Sequence, residues 1–263
     1  MDKRILIGTP IRDRAWIIPY YLSCLYGLNY DKKLIDLYWI INNSSDQSQK
    51  LLKDFKYKYN NEYNSITIEI TNKPKLPTYD RENSVGIREE VYPWLAYLRN
   101  KLLDKCVSFN CDYLWSTDSD ILFKPDTLSR LLSHNIPVVS ALLYNGYLHD
   151  GIESAYKYPN ILREIKPRLY QHISNYRIKN PQLNSFGTLI EVDYTGASIL
   201  ISKDVCKVAK YDGNKIYGED ESFCWSAKQN GYKLYCDISL FLNHIMSPEL
   251  LKVLGGDFIW NTH

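Results

Sequence analysis

The fold is decided by the stretch Asp112-Tyr113-Leu114-Trp115-Ser116-Thr117-Asp118-Ser119-Asp120-Ile121-Leu122-Phe123. Its first half is an apolar, aromatic run of strand length that stops at two carboxylates one residue apart. Side chains at i and i+2 of an extended segment point the same way, so Asp118 and Asp120 can converge on one hard cation. The alternative is a solvated loop, because Asp is common in turns and so short a pattern also arises by chance.

Length and composition are those of one large α/β domain or two small ones. The 263 residues carry a formal net charge of only +2, which argues against a nucleic-acid partner. No apolar run is long enough to span a bilayer and the N-terminus lacks a secretion signal, so we expect a cytoplasmic protein without a transmembrane segment. The six cysteines form no CxxC pair, so neither a zinc knuckle nor a disulfide framework is predicted, and we expect free thiols.

Strand and helix patterns alternate before the Asp-rich stretch. Short apolar runs and capped amphipathic segments predict, in order, a strand at 4–9, a helix at 16–28, a strand at 37–41, a helix at 47–59 and a strand at 66–70. This order implies right-handed crossovers and an α/β fold with a mainly parallel central sheet flanked by helices.

Ligands bind to such sheets outside the carboxyl ends of the strands. Thr9 and Arg12 follow the first predicted strand, and Asn43 follows the second. The Asp-rich motif lies at the same edge if residues 112–117 form another strand of this sheet. We therefore expect these side chains to gather in one place.

A helix is predicted at residues 89–107, where Pro93 either kinks the helix or marks its start. Arg99 and Asn100 lie in its middle. On spacing alone, the favoured interpretation is that both belong to a solvated flank.

Further strands are predicted at 138–144, 191–202 and 232–236, with a helix ending at Asn230-Gly231 before the last of them. Residues 145–190 are polar and weakly periodic. Long connections of this kind are usually lids or binding loops, so this insertion is expected to form part of a binding site.

Two later features could carry chemistry. Glu219 and Asp220 precede the predicted helix, where acids also serve as first-turn residues that complement the helix dipole. A lone histidine such as His244 is more often a hydrogen-bonded core residue than a metal ligand. The functional hypothesis therefore depends on their joint occurrence with Asp118 and Asp120.

The ordered set of these motifs resembles the GT-A glycosyltransferases. It consists of Thr9-Pro10-Ile11-Arg12, Asn42-Asn43-Ser44-Ser45-Asp46, Arg99-Asn100, Asp118-Ser119-Asp120, Gly218-Glu219-Asp220 and His244. Within that group the chain is similar to family-2-type enzymes, the collagen galactosyltransferases and the fungal mannan-polymerase mannosyltransferases. The resemblance covers most of the chain except 145–190. It implies a single GT-A domain over 1–263, with a nucleotide-sugar-binding half to about residue 120 and an acceptor-binding half from about 121.

The resemblance also implies roles for individual residues. The residues expected to border the nucleotide-sugar donor are Thr9, Pro10, Arg12, Asn43, Arg99, Asp118 and Ser119. Those expected to hold Mn²⁺ or Mg²⁺ are Asp118, Asp120 and His244. Asp220 is the expected catalytic base, with Glu219 as the alternative.

The function that follows is metal-dependent transfer of a hexose from a nucleotide-diphosphate sugar, expected to be a UDP-sugar, with inversion. The acceptor is a hydroxyl of a glycan, a protein or a small molecule. A sugar-phosphate nucleotidyltransferase is an alternative, but it normally needs a glycine-rich loop after the first strand, which this chain lacks. A catalytically inactive nucleotide-sugar- or carbohydrate-binding protein is a third hypothesis.

Overall fold

The computed structural model describes residues 3–71, 85–145, 156–181, 188–213 and 218–254. Within these ranges the strands are β1 Ile5–Ile11, β2 Ile35–Asn42, β3 Ser65–Thr71, β4 Tyr113–Thr117, β5 Ile121–Leu122, β6 Val138–Leu142, β7 Leu162–Lys166, β8 Leu169–His172, β9 Leu189–Val192, β10 Ser198–Ser202, β11 Leu234–Phe241 and β12 Asn243–His244. The helices are α1 Ile18–Tyr26, α2 Ser48–Tyr59, α3 Val85–Ser108, α4 Thr127–Ser133, α5 Asn175–Lys179, α6 Lys203–Val208, α7 Glu219–Gln229 and α8 Pro248–Leu254.

Eight strands form the central sheet in the order β3-β2-β1-β4-β10-β6-β11-β9. The run from β3 to β4 is parallel throughout, and β6 is parallel to β11. Strand β10 is antiparallel to both of its neighbours, and β9 is antiparallel to β11. The predicted mainly parallel α/β sheet is confirmed.

The sheet is covered on both faces. On one face α1, α2 and α4 pack over Trp39 and Trp115, both fully buried. On the other face α3, α6 and α7 pack over Leu6, Leu114 and Ile199. Residues on both sides of β1 and β2 are therefore apolar, which explains their continuous rather than alternating hydrophobic runs.

The prediction of one strand over residues 191–202 was wrong. Strand β9 ends at Val192 and β10 begins at Ser198, and the two occupy separate positions in the sheet. The chain turns between them at Ala197, whose φ is +64°. This left-handed conformation cannot continue a strand.

The structure also refines the predictions for α3 and for the insertion at 145–190. Helix α3 contains Pro93 in its interior, so the proline does not mark its start. The insertion at 145–190 is partly structured: β7 and β8 form an antiparallel hairpin that packs on α7, where Arg168 and Tyr170 hydrogen-bond to Glu221 at 2.6 and 2.8 Å. Residues 146–155 and 182–187 of that insertion lie outside the described residues.

The cysteines and the helices were also the subject of predictions. All six cysteines are buried free thiols, as predicted. Among the helices of the described ranges, none combines the length and apolar character that a bilayer span requires.

Candidate active site

The carboxyl ends of β1, β2 and β4 meet at one edge of the sheet, and a cleft opens there. Its first lobe has a volume of about 320 Å³. The residues that line this lobe are Pro10, Ile11, Arg12, Arg14, Asn42, Leu95, Arg99, Asp118, Ser119, Asp120, Glu219, His244 and Met246. Two arginines from the segment after β1 make this lobe suitable for a phosphate group.

A second lobe of about 260 Å³ adjoins the first. Its lining residues are Tyr92, Arg99, Asp118, Asn145, Asn160, Tyr194, Gly196, Ala197, Gly218, Glu219, Asp220, His244 and Met246. Five residues line both lobes: Arg99, Asp118, Glu219, His244 and Met246. The cleft is thus one site with two compartments, and the Arg99 side chain lines both of them.

Strand pairing brings Asp120 and His244 together, although they lie far apart in sequence. β5 pairs with β12, with Ile121 opposite His244, and the Ile245 N–H donates to the Asp120 carbonyl at 2.8 Å. His244 Nε2 lies 3.5 Å from Asp120 Oδ1, and Arg14 Nη2 lies 3.3 Å from Asp120 Oδ2. Burial by itself would raise the pKa of Asp120, but His244 and Arg14 outweigh it and lower the pKa to about 2. Asp120 is therefore a carboxylate at neutral pH.

The Asp120–His244 pair suits a divalent cation. Two ligands that each lie about 2.1 Å from one ion are separated by about 3 Å, close to the spacing of this oxygen and nitrogen. Within the described ranges, however, no three His, Cys, Asp or Glu side chains are grouped as a ready-made metal site. The third predicted ligand, Asp118, has its Oδ1 turned to Arg99 Nη2 at 2.8 Å.

Arg99 connects the two lobes. Its guanidinium also donates to Ser116 Oγ at 3.2 Å, and its Nε lies 3.6 Å from Glu219 Oε1 and 3.5 Å from Asp220 Oδ1. The side chain is only 7% exposed, so the expectation of a solvated flank was wrong for Arg99. It was wrong for Asn100 too, whose amide bonds both the N–H and the carbonyl of Tyr211.

Glu219 and Asp220 occupy the first turn of α7 and face the cleft. Burial, followed by the neighbouring charge of Asp220, raises the pKa of Glu219 to about 7, against the lowering effect of Arg99. Burial likewise raises the pKa of Asp220, again opposed by Arg99. Glu219 can therefore exchange a proton near neutral pH beside a second acid whose pKa is also raised, and perturbed acids of this kind are concentrated in catalytic sites.

Of the other residues predicted to border the donor, some line the first lobe and some do not. Pro10, Arg12 and Ser119 line the first lobe. Thr9 is fully buried beneath it, with its hydroxyl 2.7 Å from that of Tyr21. Asn43 is exposed with a φ of +51°, and the preceding Asn42 lines the lobe instead.

Several lining residues were not predicted from the sequence. The unpredicted ones nearest the chemistry are Arg14, Tyr92, Asn145, Asn160, Tyr194 and Met246. Arg14 follows Arg12 in the segment after β1 and could have been noticed as a second cation for a phosphate. The others come from segments with no motif of their own.

Comparison with known proteins matches this chain to a family model and to several named relatives. Residues 1–178 match the family described as Anp1. A "Glycosyltransferase 25 family member" of Aedes aegypti is 27% identical over 154 residues, which are 58% of this chain and 24% of the relative. "Procollagen galactosyltransferase 1" of Danio rerio is 23% identical over 148 residues, 54% of this chain and 24% of the relative. The chain thus spans about a quarter of the length of these two relatives.

Solved structures agree on the fold. The structure of GalNAc-T7 with UDP, GalNAc and Mn²⁺ has a TM-score of 0.60 at 13% identity, covering 97% of this chain and 49% of that one. The mannosyltransferase PcManGT from Pyrobaculum calidifontis, in complex with GDP-Man and Mn²⁺, has a TM-score of 0.57 at 11% identity, covering 94% and 58%. The predicted GT-A type fold, and the predicted resemblance to glycosyltransferases of that fold, are confirmed.

Proposed function

The chain belongs to the Anp1 family, and on that premise we propose that it is a glycosyltransferase that moves a hexose from a nucleotide-diphosphate sugar to an acceptor hydroxyl. The observation that carries this proposal is the two-lobed cleft. Its first lobe holds the Asp120–His244 pair, its second lobe holds Asp220, and Arg99 spans the two. A donor and an acceptor can therefore meet beside Glu219, which lines both lobes.

The first lobe is the proposed donor site. Arg12 and Arg14 offer guanidinium groups to the diphosphate, and Asn42 and Leu95 line the same space. Asp120 and His244 would hold Mn²⁺ or Mg²⁺, with Asp118 joining them if it leaves Arg99. Such an ion, when bound, stabilises the negative charge on the leaving diphosphate. A UDP-sugar is the proposed donor, in keeping with the UDP in the GalNAc-T7 structure.

Donor binding should depend on Asp120 and on the metal. With UDP at about 100 times its Kd in the presence of Mn²⁺, wild-type protein should be about 2.7 kcal/mol more stable than with Mn²⁺ alone, because UDP binds the native state. Asp120→Asn should lose most of that gain, since a neutral amide is a much poorer ligand for a hard cation. Thermal melts with and without Mn²⁺ and UDP, followed by calorimetry, measure the effect.

The matched control for this experiment is Asp54→Asn, which alters an exposed carboxylate of α2 that pairs with Lys50 outside the cleft. This variant should retain the stabilisation by Mn²⁺ and UDP. Equal donor affinity in wild type and Asp120→Asn would contradict the proposed metal site.

The second lobe is the proposed acceptor site, with Asp220 as the general base. A carboxylate there can remove the proton of an acceptor hydroxyl as the hydroxyl oxygen attacks the anomeric carbon. Its raised pKa strengthens it as a base. Glu219, with a pKa of about 7, can relay the proton away.

An acceptor activated from the second lobe approaches the sugar from the side opposite the diphosphate. Attack from that side inverts the anomeric centre, because the nucleophile and the leaving group lie on opposite faces of an oxocarbenium-like sugar. An α-linked donor should therefore give a β-linked product, which ¹H NMR of the anomeric proton distinguishes. An α-linked product would rule out Asp220 as the base of a single displacement.

A further inference from the structure

A short backbone corner, Thr195-Gly196-Ala197, borders the second lobe of the cleft and contacts Asp118, which lines both lobes. The Ala197 carbonyl accepts a hydrogen bond of 2.9 Å from the Asp118 N–H, at the edge of the first lobe. The Ala197 backbone N–H also interacts with the Asp220 carboxylate, in the second lobe, and opposes the rise in the pKa of Asp220. A single residue therefore connects the predicted metal-binding motif to the proposed base.

The corner is shaped to admit the Asp220 side chain. A Cβ built on Gly196 would lie 3.0 Å from Asp220 Cγ and closer still to its carboxylate oxygen. Only glycine leaves room for Asp220 at this position. Ala197 has a φ of +64°, a conformation that is unfavourable for alanine and persists only where the surroundings hold it.

The corner is held by the Ser198 N–H, which donates to the Gly196 carbonyl at 2.8 Å, and by the side-chain amide of Asn160. Asn160 Nδ2 lies 3.2 Å from the Gly196 carbonyl, 3.3 Å from Thr195 Oγ1 and 3.1 Å from the Ala141 carbonyl. Its Oδ1 accepts from the Leu143 N–H at 3.0 Å. The residue is only 4% exposed. Its side-chain nitrogen and oxygen therefore both bond protein groups, and they join the corner to the end of β6.

Two further side-chain contacts support the same corner. Thr195 Oγ1 donates to Ser140 Oγ at 2.8 Å, and Cys224 Sγ donates to the Thr195 carbonyl at 3.3 Å. Both act on Thr195, two residues before the strained Ala197. Asn160 alone among these side chains reaches the Gly196 carbonyl, and through that bond it holds the peptide that leads into Ala197.

We propose that Asn160 is a positioning residue for sugar transfer: it holds the Gly196-Ala197 peptide in the one conformation that sets Asp118 and Asp220 at their working separation. This inference rests on the proposed function. Asn160 comes from the insertion after β6, so that segment supplies part of the reaction geometry. Misplacement of a reacting group by about 1 Å can cost about a hundredfold in rate.

The test is Asn160→Ala, assayed as release of nucleoside diphosphate from a donor in Mn²⁺. We expect kcat to fall about a hundredfold, with KM for the donor within about threefold of wild type, because Arg12, Arg14 and Asp120 make no contact with Asn160. Amide hydrogen exchange should show faster exchange at the Asp118 N–H, which bonds to Ala197, while amides in the middle of β1 are unchanged.

A milder variant and a control complete the design. Thr195→Val replaces Asn160→Ala as the test if Asn160→Ala does not fold. It keeps the shape of the side chain but removes the hydroxyl that contacts Asn160 and Ser140, so we expect kcat to fall about tenfold. Asn64→Ala removes an amide that donates to Asp36 at 2.7 Å, at the opposite end of the sheet. That control should leave kcat, KM and the exchange of the Asp118 N–H at wild-type values.

The outcomes separate this inference from the proposed function. An unchanged exchange rate at the Asp118 N–H in Asn160→Ala would overturn the inference, as would a loss confined to donor KM. If the wild type releases no nucleoside diphosphate from any donor, the proposed function fails. The exchange rate then still decides whether Asn160 holds the corner.

Discussion

Replacing Asp220 by Asn is expected to lower kcat for sugar transfer by about 10²–10⁴-fold, the contribution typical of a positioned general base. The amide is nearly the same size as the carboxylate but cannot accept the proton of the acceptor hydroxyl. Because Asp220 lines the second lobe and not the first, the Kd for the nucleotide should change little. Steady-state kinetics together with calorimetry on the same preparation measure both quantities.

Two control variants make the result specific. Asp204→Asn changes another acid in the first turn of a helix, α6, but one that is exposed and far from the cleft, and it should leave kcat unchanged. Glu219→Gln should lower kcat less than Asp220→Asn does, because Glu219 is proposed only to relay the proton. Near-normal turnover in Asp220→Asn with a large loss in Glu219→Gln would move the base to Glu219.

The largest effect on stability is expected for Arg99→Met. Removal of this buried guanidinium leaves Asp118, Glu219 and Asp220 without their shared cation. Loss of one partner from a buried ionic group typically costs about 3–5 kcal/mol, because the remaining charges stay desolvated. Urea denaturation at pH 7.5 should show this loss in the free energy of unfolding with an unchanged m-value.

The loss in Arg99→Met should shrink as the pH is lowered. Glu219 has a pKa of about 7 when folded, above its ordinary value of 4.5, so it favours folding at low pH and loses that contribution as pH rises through about 7. Arg99 lowers the pKa of both Glu219 and Asp220, so its removal raises both further and increases the penalty above pH 7. The variant should therefore be closer to wild type at pH 5 than at pH 8.

Lys210→Met is the matched control for Arg99→Met, because Lys210 forms an ion pair with Asp104 in which both side chains are more than half exposed. Exposed pairs contribute about 0–1 kcal/mol, so this variant should be nearly as stable as wild type at both pH values. An Arg99→Met protein as stable as wild type at pH 7.5 would contradict the role given to Arg99.

Much of the fold followed from local patterns. Continuous apolar runs at β1 and β2, and the abrupt stop of β4 before Asp118, placed three strand ends at one sheet edge, because parallel strands share their carboxyl edge. Pro10, near the end of β1, and Arg12 and Asp118, just after β1 and β4, were then predictable as neighbours. The helix stop at Asn230-Gly231 was also predictable, and Gly231 has the positive φ that such a stop requires.

What could not be predicted depends on tertiary contacts between distant segments. Arg99 looks like a solvated helix residue by spacing, and it is buried only because α3 crosses the ends of β4 and α7. Asn160 lies in no recognisable sequence pattern. Its side-chain amide bonds two backbone carbonyls and one backbone N–H from distant segments, and only the tertiary fold brings these together. The break at Ala197 was missed because a run of β-prone residues on either side hides a left-handed turn.

The central claim is that this cleft transfers sugar from a nucleotide to a hydroxyl, and its most direct test is nucleoside diphosphate release from a panel of UDP- and GDP-sugars. We expect wild-type protein in Mn²⁺ to consume at least one donor, slowly with water and faster with a suitable acceptor, and Asp220→Asn to lose that release while still binding the nucleotide. If wild type consumes no donor faster than Asp220→Asn does, with or without metal, the cleft is not a glycosyl-transfer site.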